Sequence, residues 1–134
     1  MCEQYRLKAV NEFVKVIGSC GHKFFNHKGH YAHFSISEFG RVFFHDDYSR
    51  HKIYLHVKYI TSRRFSHGGT LGNFVLALKD YIKKGHQLNP AYFKTRDWII
   101  DGHAWAYGED LKIVYEAGLE LGIIAPPLHE EGSE

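Results

Sequence analysis

Apolar residues recur at helical spacing in three stretches of the chain and alternate with polar ones in three others. From Glu3 to Ile17, the residues Tyr5, Val10, Phe13, Val14 and Ile17 follow the 3.6-residue period, and Ala9 fills the same stripe. This spacing predicts a first helix, stopped by Gly18-Ser19-Cys20-Gly21. A loop containing glycine and histidine follows. Tyr31 to Ser37 then alternates, with Ala32, Phe34 and Ile36 opposed to Tyr31, His33 and Ser35. Arg41 to His45 sets Val42 and Phe44 against Phe43 and His45. Lys52 to Ile60 sets Ile53, Leu55 and Val57 against Tyr54, His56 and Lys58. A period of two marks a half-buried strand, and Gly40 and the polar run Asp46 to Arg50 supply turns. Connections this short join antiparallel neighbours, so the pattern predicts a three-stranded meander.

The second helix carries one apolar stripe of Leu71, Phe74, Val75, Leu78, Tyr81 and Ile82. Thr70 suits its N-cap, Lys83 and Lys84 its last turn, and Gly85 its C-terminal cap. Residues 86–108 are aromatic-rich and irregular, with Trp98-Ile99-Ile100 as a candidate short strand and Trp98 and Ile100 as candidate core. Gly108-Glu109-Asp110 opens a third helix in which Leu111, Val114, Tyr115, Gly118 and Leu121 share a face, and Gly122 ends it. The expected fold is therefore α+β, a three-stranded antiparallel sheet packed by helices in the order α-β-β-β-α-(irregular)-α. One domain over residues 1–125 is followed by a flexible acidic tail over 126–134, which begins at Pro126-Pro127.

Composition narrows the class. A chain of 134 residues fits one domain, and such a domain buries roughly two thirds of its unfolded surface. No apolar run approaches the roughly 20 residues that span a bilayer, and the N-terminus lacks the pattern of a signal peptide. Cys2 and Cys20 are too few for a disulfide framework and read as free thiols, which points to the cytoplasm. The net charge of +2 conceals an asymmetry: residues 1–100 hold 16 Lys and Arg against 7 Asp and Glu, and residues 101–134 hold one basic residue against 8 acidic. An anionic partner for the basic part is one reading, and ordinary solvated surface is the other.

The outward face of the sheet would present Tyr31, His33, Phe43, His45, Tyr54, His56 and Lys58, ringed by Lys28, Arg41, Arg50, His51, Lys52, Arg63 and Arg64. Rings that stack on bases, mixed with cations that hold phosphates, are what nucleic-acid readers use. The candidate contacts are Arg41, Tyr54, His56, Lys58, Arg63, Arg64 and His67. The alternative is a second helix covering this face and burying Tyr31, Phe43 and Tyr54. Ser66-His67-Gly68-Gly69-Thr70 precedes the second helix, so Gly68, Gly69 and Thr70 form a candidate anion site at its amino end; a plain glycine turn ending in a Thr cap is the alternative. Trp105 and Tyr107 are candidate protein contacts. The eleven histidines include His27, His30 and His33 near Cys20 and His22, yet Gly29 and the strand-like run from Tyr31 work against a shared metal site. Pairings such as His45 with Asp46 or Asp47, or Asp101 with His103, lack a readable nucleophile or oxyanion pattern. No cofactor, metal or catalytic role is expected.

Two resemblances accompany these readings. The helix–three strands–helix order resembles that of double-stranded-RNA-binding domains, though their basic motif would fall near Arg63-Arg64-Phe65-Ser66-His67 and does not match well. Separately, Phe65-Ser66-His67-Gly68-Gly69-Thr70-Leu71, the helix end Leu78-Lys79-Asp80-Tyr81-Ile82 and Tyr107-Gly108-Glu109-Asp110 resemble small proteins of bacteriophages and prophages, over roughly residues 28–123. That resemblance implies an accessory protein in a bacterial host cytoplasm, one that binds DNA or RNA or blocks a host protein. A homodimer hiding the sheet face is compatible with the same sequence and would oppose both roles.

Overall fold

The computed structural model describes residues 2–20, 25–55, 69–88 and 108–126. In chain order it forms helix α1 (Glu3–Ser19), strands β1 (Asn26–His27), β2 (His30–Tyr31), β3 (His33–Ile36), β4 (Val42–His45) and β5 (Lys52–Tyr54), and helices α2 (Gly69–Lys84) and α3 (Gly108–Glu120). Strands β3, β4 and β5 make the expected antiparallel meander. Its register sets Phe34 opposite Phe44 and Phe44 opposite Ile53, so one face of the sheet is apolar across all three strands.

That face meets the helices. Phe13 from α1, Phe34 and Phe44 from the sheet and Phe74 from α2 are fully buried in one core with Val14, Ile17, Val75, Leu78, Ile82 and Val114. Phe25 joins the layers, edge-on to Phe44 at 6.1 Å and stacked on Phe74 at 6.2 Å. Its backbone is left-handed at φ +71, which costs a residue with a Cβ about 1 kcal/mol or more, and burial of its ring offsets that strain. Asn11 fastens α1 to the edge of the sheet: its carboxamide accepts the Phe34 N–H at 2.7 Å and donates to the Phe34 carbonyl at 3.0 Å. The far end of α2 is tied down as well. Arg6 Nε donates to the Ile82 carbonyl at 2.9 Å, and Lys83 Nζ reaches both Glu3 at 2.7 Å and the Gly40 carbonyl at 2.8 Å.

Four details depart from the sequence reading. The run from Tyr31 is not one strand, because the chain changes partner at Ala32. Tyr31 pairs with Asn26 in a separate two-stranded hairpin, whereas His33 pairs with His45. The hairpin turns on Lys28 (φ +52) and Gly29 (φ +86), the two consecutive left-handed residues that a tight two-residue loop needs. Helix α1 runs two residues past Ile17, with Ser19 Oγ bonding back to the Lys15 carbonyl. Helix α2 already includes Gly69 and Thr70, so Thr70 lies in the first turn instead of capping it. The chain leaving α3 is also anchored: Ile124 bridges Leu88 in parallel, with Leu88 N–H donating to Ile123 at 2.8 Å. Helix α3 itself ends as expected at Gly122 (φ +81), whose N–H bonds Leu119 while that of Ile123 bonds Gly118. Residues 56–60, the candidate strand Trp98-Ile99-Ile100 and the acidic segment 127–134 lie outside the described residues.

Candidate nucleic-acid interface

The outward face of the meander is set by parity. Residues one removed from the buried Phe34, Val42, Phe44, Ile53 and Leu55 must point away from the helices, which selects His33, Ser35, Phe43, His45, Lys52 and Tyr54. Cross-strand register sorts them into two rows. Ser35, Phe43 and Tyr54 form one row, and His33, His45 and Lys52 the other.

Within the first row the Phe43 and Tyr54 rings lie 5.2 Å apart, tilted by 34°. A cation lies over each. Arg41 is 5.4 Å from the Tyr54 centroid, and Lys52 Nζ is 4.5 Å from that of Phe43, attracted by the negative ring faces. In the second row the imidazoles of His33 and His45 stack at 4.2 Å with their planes within 6°. Across the rows Ser35 Oγ and His45 Nε2 are 2.8 Å apart. Burial pushes the His45 pKa down, and the neighbouring His33 and Lys52 add to the effect, because a second positive charge there is unfavourable. His33, Arg41 and Lys52 are exposed, while Ser35, Phe43, His45 and Tyr54 are half-buried. The face therefore offers flat rings, exposed cations and a stacked pair of imidazoles.

Of the contacts expected from the sequence, Arg41 and Tyr54 come together here. Tyr31 does not join them; its hydroxyl lies 3.4 Å from Ser19 Oγ beside α1. His56, Lys58, Arg63, Arg64, His67, Gly68, Trp105 and Tyr107 lie outside the described residues, and Gly69 and Thr70 are placed only as the first turn of α2. His45 is bonded to Ser35, whereas Asp46 is buried and committed to its own turn, accepting the N–H and hydroxyl of Ser49 at 2.8 Å each. Of the histidines considered for a metal site, His22 lies outside the described residues, while His27 packs on Tyr48, His30 faces Arg50 and His33 stacks on His45. Among the described residues no three His, Cys, Asp or Glu side chains stand close enough to hold a metal ion. No helix among them is long and apolar enough to cross a membrane. Sequence reasoning missed Phe39, which is 79% exposed in the β3–β4 turn, two residues before Arg41. Its signal was one apolar residue between Glu38 and Gly40, a position where turns are ordinarily polar.

A protein-family model described as YoqU matches residues 2–126. The chain belongs to the YoqU family. The matched span takes in every element among the described residues and the whole sheet face. No curated protein and no solved structure matches the chain.

Proposed function

We propose that this YoqU-family protein is a small, non-catalytic, phage-type accessory protein that binds nucleic acid through the outward face of its sheet, in the cytoplasm of a bacterial host. The observation that carries this reading is the pair of cations lying over paired rings, Arg41 on Tyr54 and Lys52 on Phe43. The rings supply base contacts, the cations supply phosphate contacts, and the basic balance of residues 1–100 supplies long-range attraction. Fluorescence-anisotropy titration with labelled single- and double-stranded DNA and RNA, at low and physiological salt, tests it. Micromolar or tighter binding that weakens with salt, and weakens about tenfold in Arg41→Ala/Lys52→Ala, is expected. Absence of binding at low salt rejects it.

A second reading, docking on a host protein, draws on the exposed aromatic Phe39. It requires that a defined host protein co-purify with the chain and be lost in Phe39→Ser while nucleic-acid binding is retained.

A further inference from the structure

We infer that the face takes unpaired nucleotides, with successive bases stacking on His33 and Phe43 and their phosphates held by Lys52 and Arg41. This rests on the nucleic-acid reading above and adds the class of strand. Phe43 and His45 are two residues apart on β4, and His33 continues the His45 ring outward as a stack. His33 and Phe43 are therefore diagonal neighbours across the β3–β4 ladder, and such positions on one face are separated by about 7–8 Å. Bases stacked in a duplex are about 3.4 Å apart along each strand and hide their faces in one another. The two platforms therefore fit bases splayed apart and have no access to the faces of paired ones.

The polar groups point the same way. Reading a duplex groove needs long donors and acceptors projecting toward base edges. Here Lys52 lies on the Phe43 ring, and Ser35 is engaged with His45. An arriving base replaces the Lys52 ammonium on the ring and leaves that flexible cation free for the phosphate that comes with it. Arg41, just before β4 and over the Tyr54 ring, meets the next phosphate.

The test compares four labelled ligands by anisotropy at one low salt concentration: a dodecamer of thymidylate, a dodecamer of uridylate, an abasic deoxyribose-phosphate strand of the same length, and a 12-base-pair duplex. Either dodecamer binding at least tenfold tighter than both the abasic strand and the duplex is expected, since each stacked base contributes roughly fivefold or more. The tighter of the two dodecamers identifies the sugar. His33→Ala, an exposed change that leaves the core intact, should weaken dodecamer binding about fivefold and leave abasic binding unchanged; Phe43→Leu, checked for folding by circular dichroism, should do the same. Equal binding of all four ligands, with His33→Ala and a folded Phe43→Leu without effect, overturns the inference while the broader nucleic-acid reading stands. Failure to bind any of the four overturns both.

Discussion

Replacing Asn11 with Ala should expose how much of the fold depends on the joint between α1 and the sheet edge. Among the described residues strand β3 pairs with β4 on one side, and on the other the Asn11 carboxamide bonds both main-chain groups of Phe34, as the peptide of a neighbouring strand would. Each neutral bond contributes roughly 0.5–1.5 kcal/mol net, and leaving its partner without a substitute in a partly buried joint costs more. The expected loss is about 2–3 kcal/mol. At an unfolding entropy of about 2.1 cal/mol/K per residue, each kcal/mol moves the midpoint of a chain this size by roughly 3–4 °C. Thermal melts followed by circular dichroism should therefore fall by about 7–10 °C, with a matching loss in urea titrations at unchanged slope. Asn11→Asp sharpens the case. A carboxylate keeps the acceptor for the Phe34 N–H but sets a negative charge against the Phe34 carbonyl, so it should be at least as damaging as Ala at neutral pH. The new carboxyl should then have a raised folded-state pKa, because only its protonated form can donate. The gap to the parent protein should narrow as pH falls toward about 4. A loss below about 0.5 kcal/mol for Asn11→Ala, or an Asp variant indifferent to pH, would refute the reasoning.

Three further outcomes follow from the packing and the site. In Gly118→Ala the added methyl would stand 2.7 Å from Ile124 Cγ1, nearer still to Cδ1, and 3.2 Å from Phe13 Cε1. Overpacking of roughly 1–3 kcal/mol should exceed the helix-propensity gain of about 1 kcal/mol, and urea titration showing no loss would contradict the α1–α3 contact. The Tyr81 hydroxyl is buried with no hydrogen-bond partner among the described residues, so Tyr81→Phe should be neutral or stabilising by up to about 1 kcal/mol, and a clear loss in denaturation would show that the hydroxyl is bonded. His45 has a depressed folded-state pKa, caused first by burial and then by His33 and Lys52. Its contribution is fully present above the unfolded value of about 6.5 and declines as pH falls below it, since the unfolded chain takes the proton first. Denaturation of the parent and of His45→Gln at pH 7.5 and 5.5 should show a smaller acid loss in the variant. Binding should move the opposite way, strengthening on acidification, because a phosphate beside His45 favours its charged form.

The elements that depend on repeated local signals were legible in the sequence. Alternation through Phe34, Val42, Phe44 and Ile53 placed the core face of the meander correctly, and the 3.6-residue stripe of Phe74, Leu78, Tyr81 and Ile82 placed α2. The β1–β2 hairpin was not legible. Its strands have two residues each, too few to show a period, and its turn uses Lys28 at φ +52, where Asn or Asp would have signalled a left-handed residue. Parity also carried Tyr31 onto the wrong surface, because counting by two cannot detect a strand that changes partner at Ala32. The role of Asn11 was equally hidden, since it depends on a contact 23 residues away. For the site, alternation was enough to bring Phe43, Tyr54 and His45 to one face. The stacking of His33 on His45 and the seating of Lys52 over Phe43 depend on strand register, which turn lengths fix and composition does not.

The most direct test of a nucleic-acid-binding face is the salt dependence of single-strand affinity, measured on the parent protein and on Arg41→Ala/Lys52→Ala. Each phosphate contact on a single strand contributes about −0.7 to the slope of log K against log salt. The account predicts a clearly negative slope for the parent and one shallower by about 1.4 when both cations are removed. A slope near zero, or one unchanged by the double substitution, would contradict it.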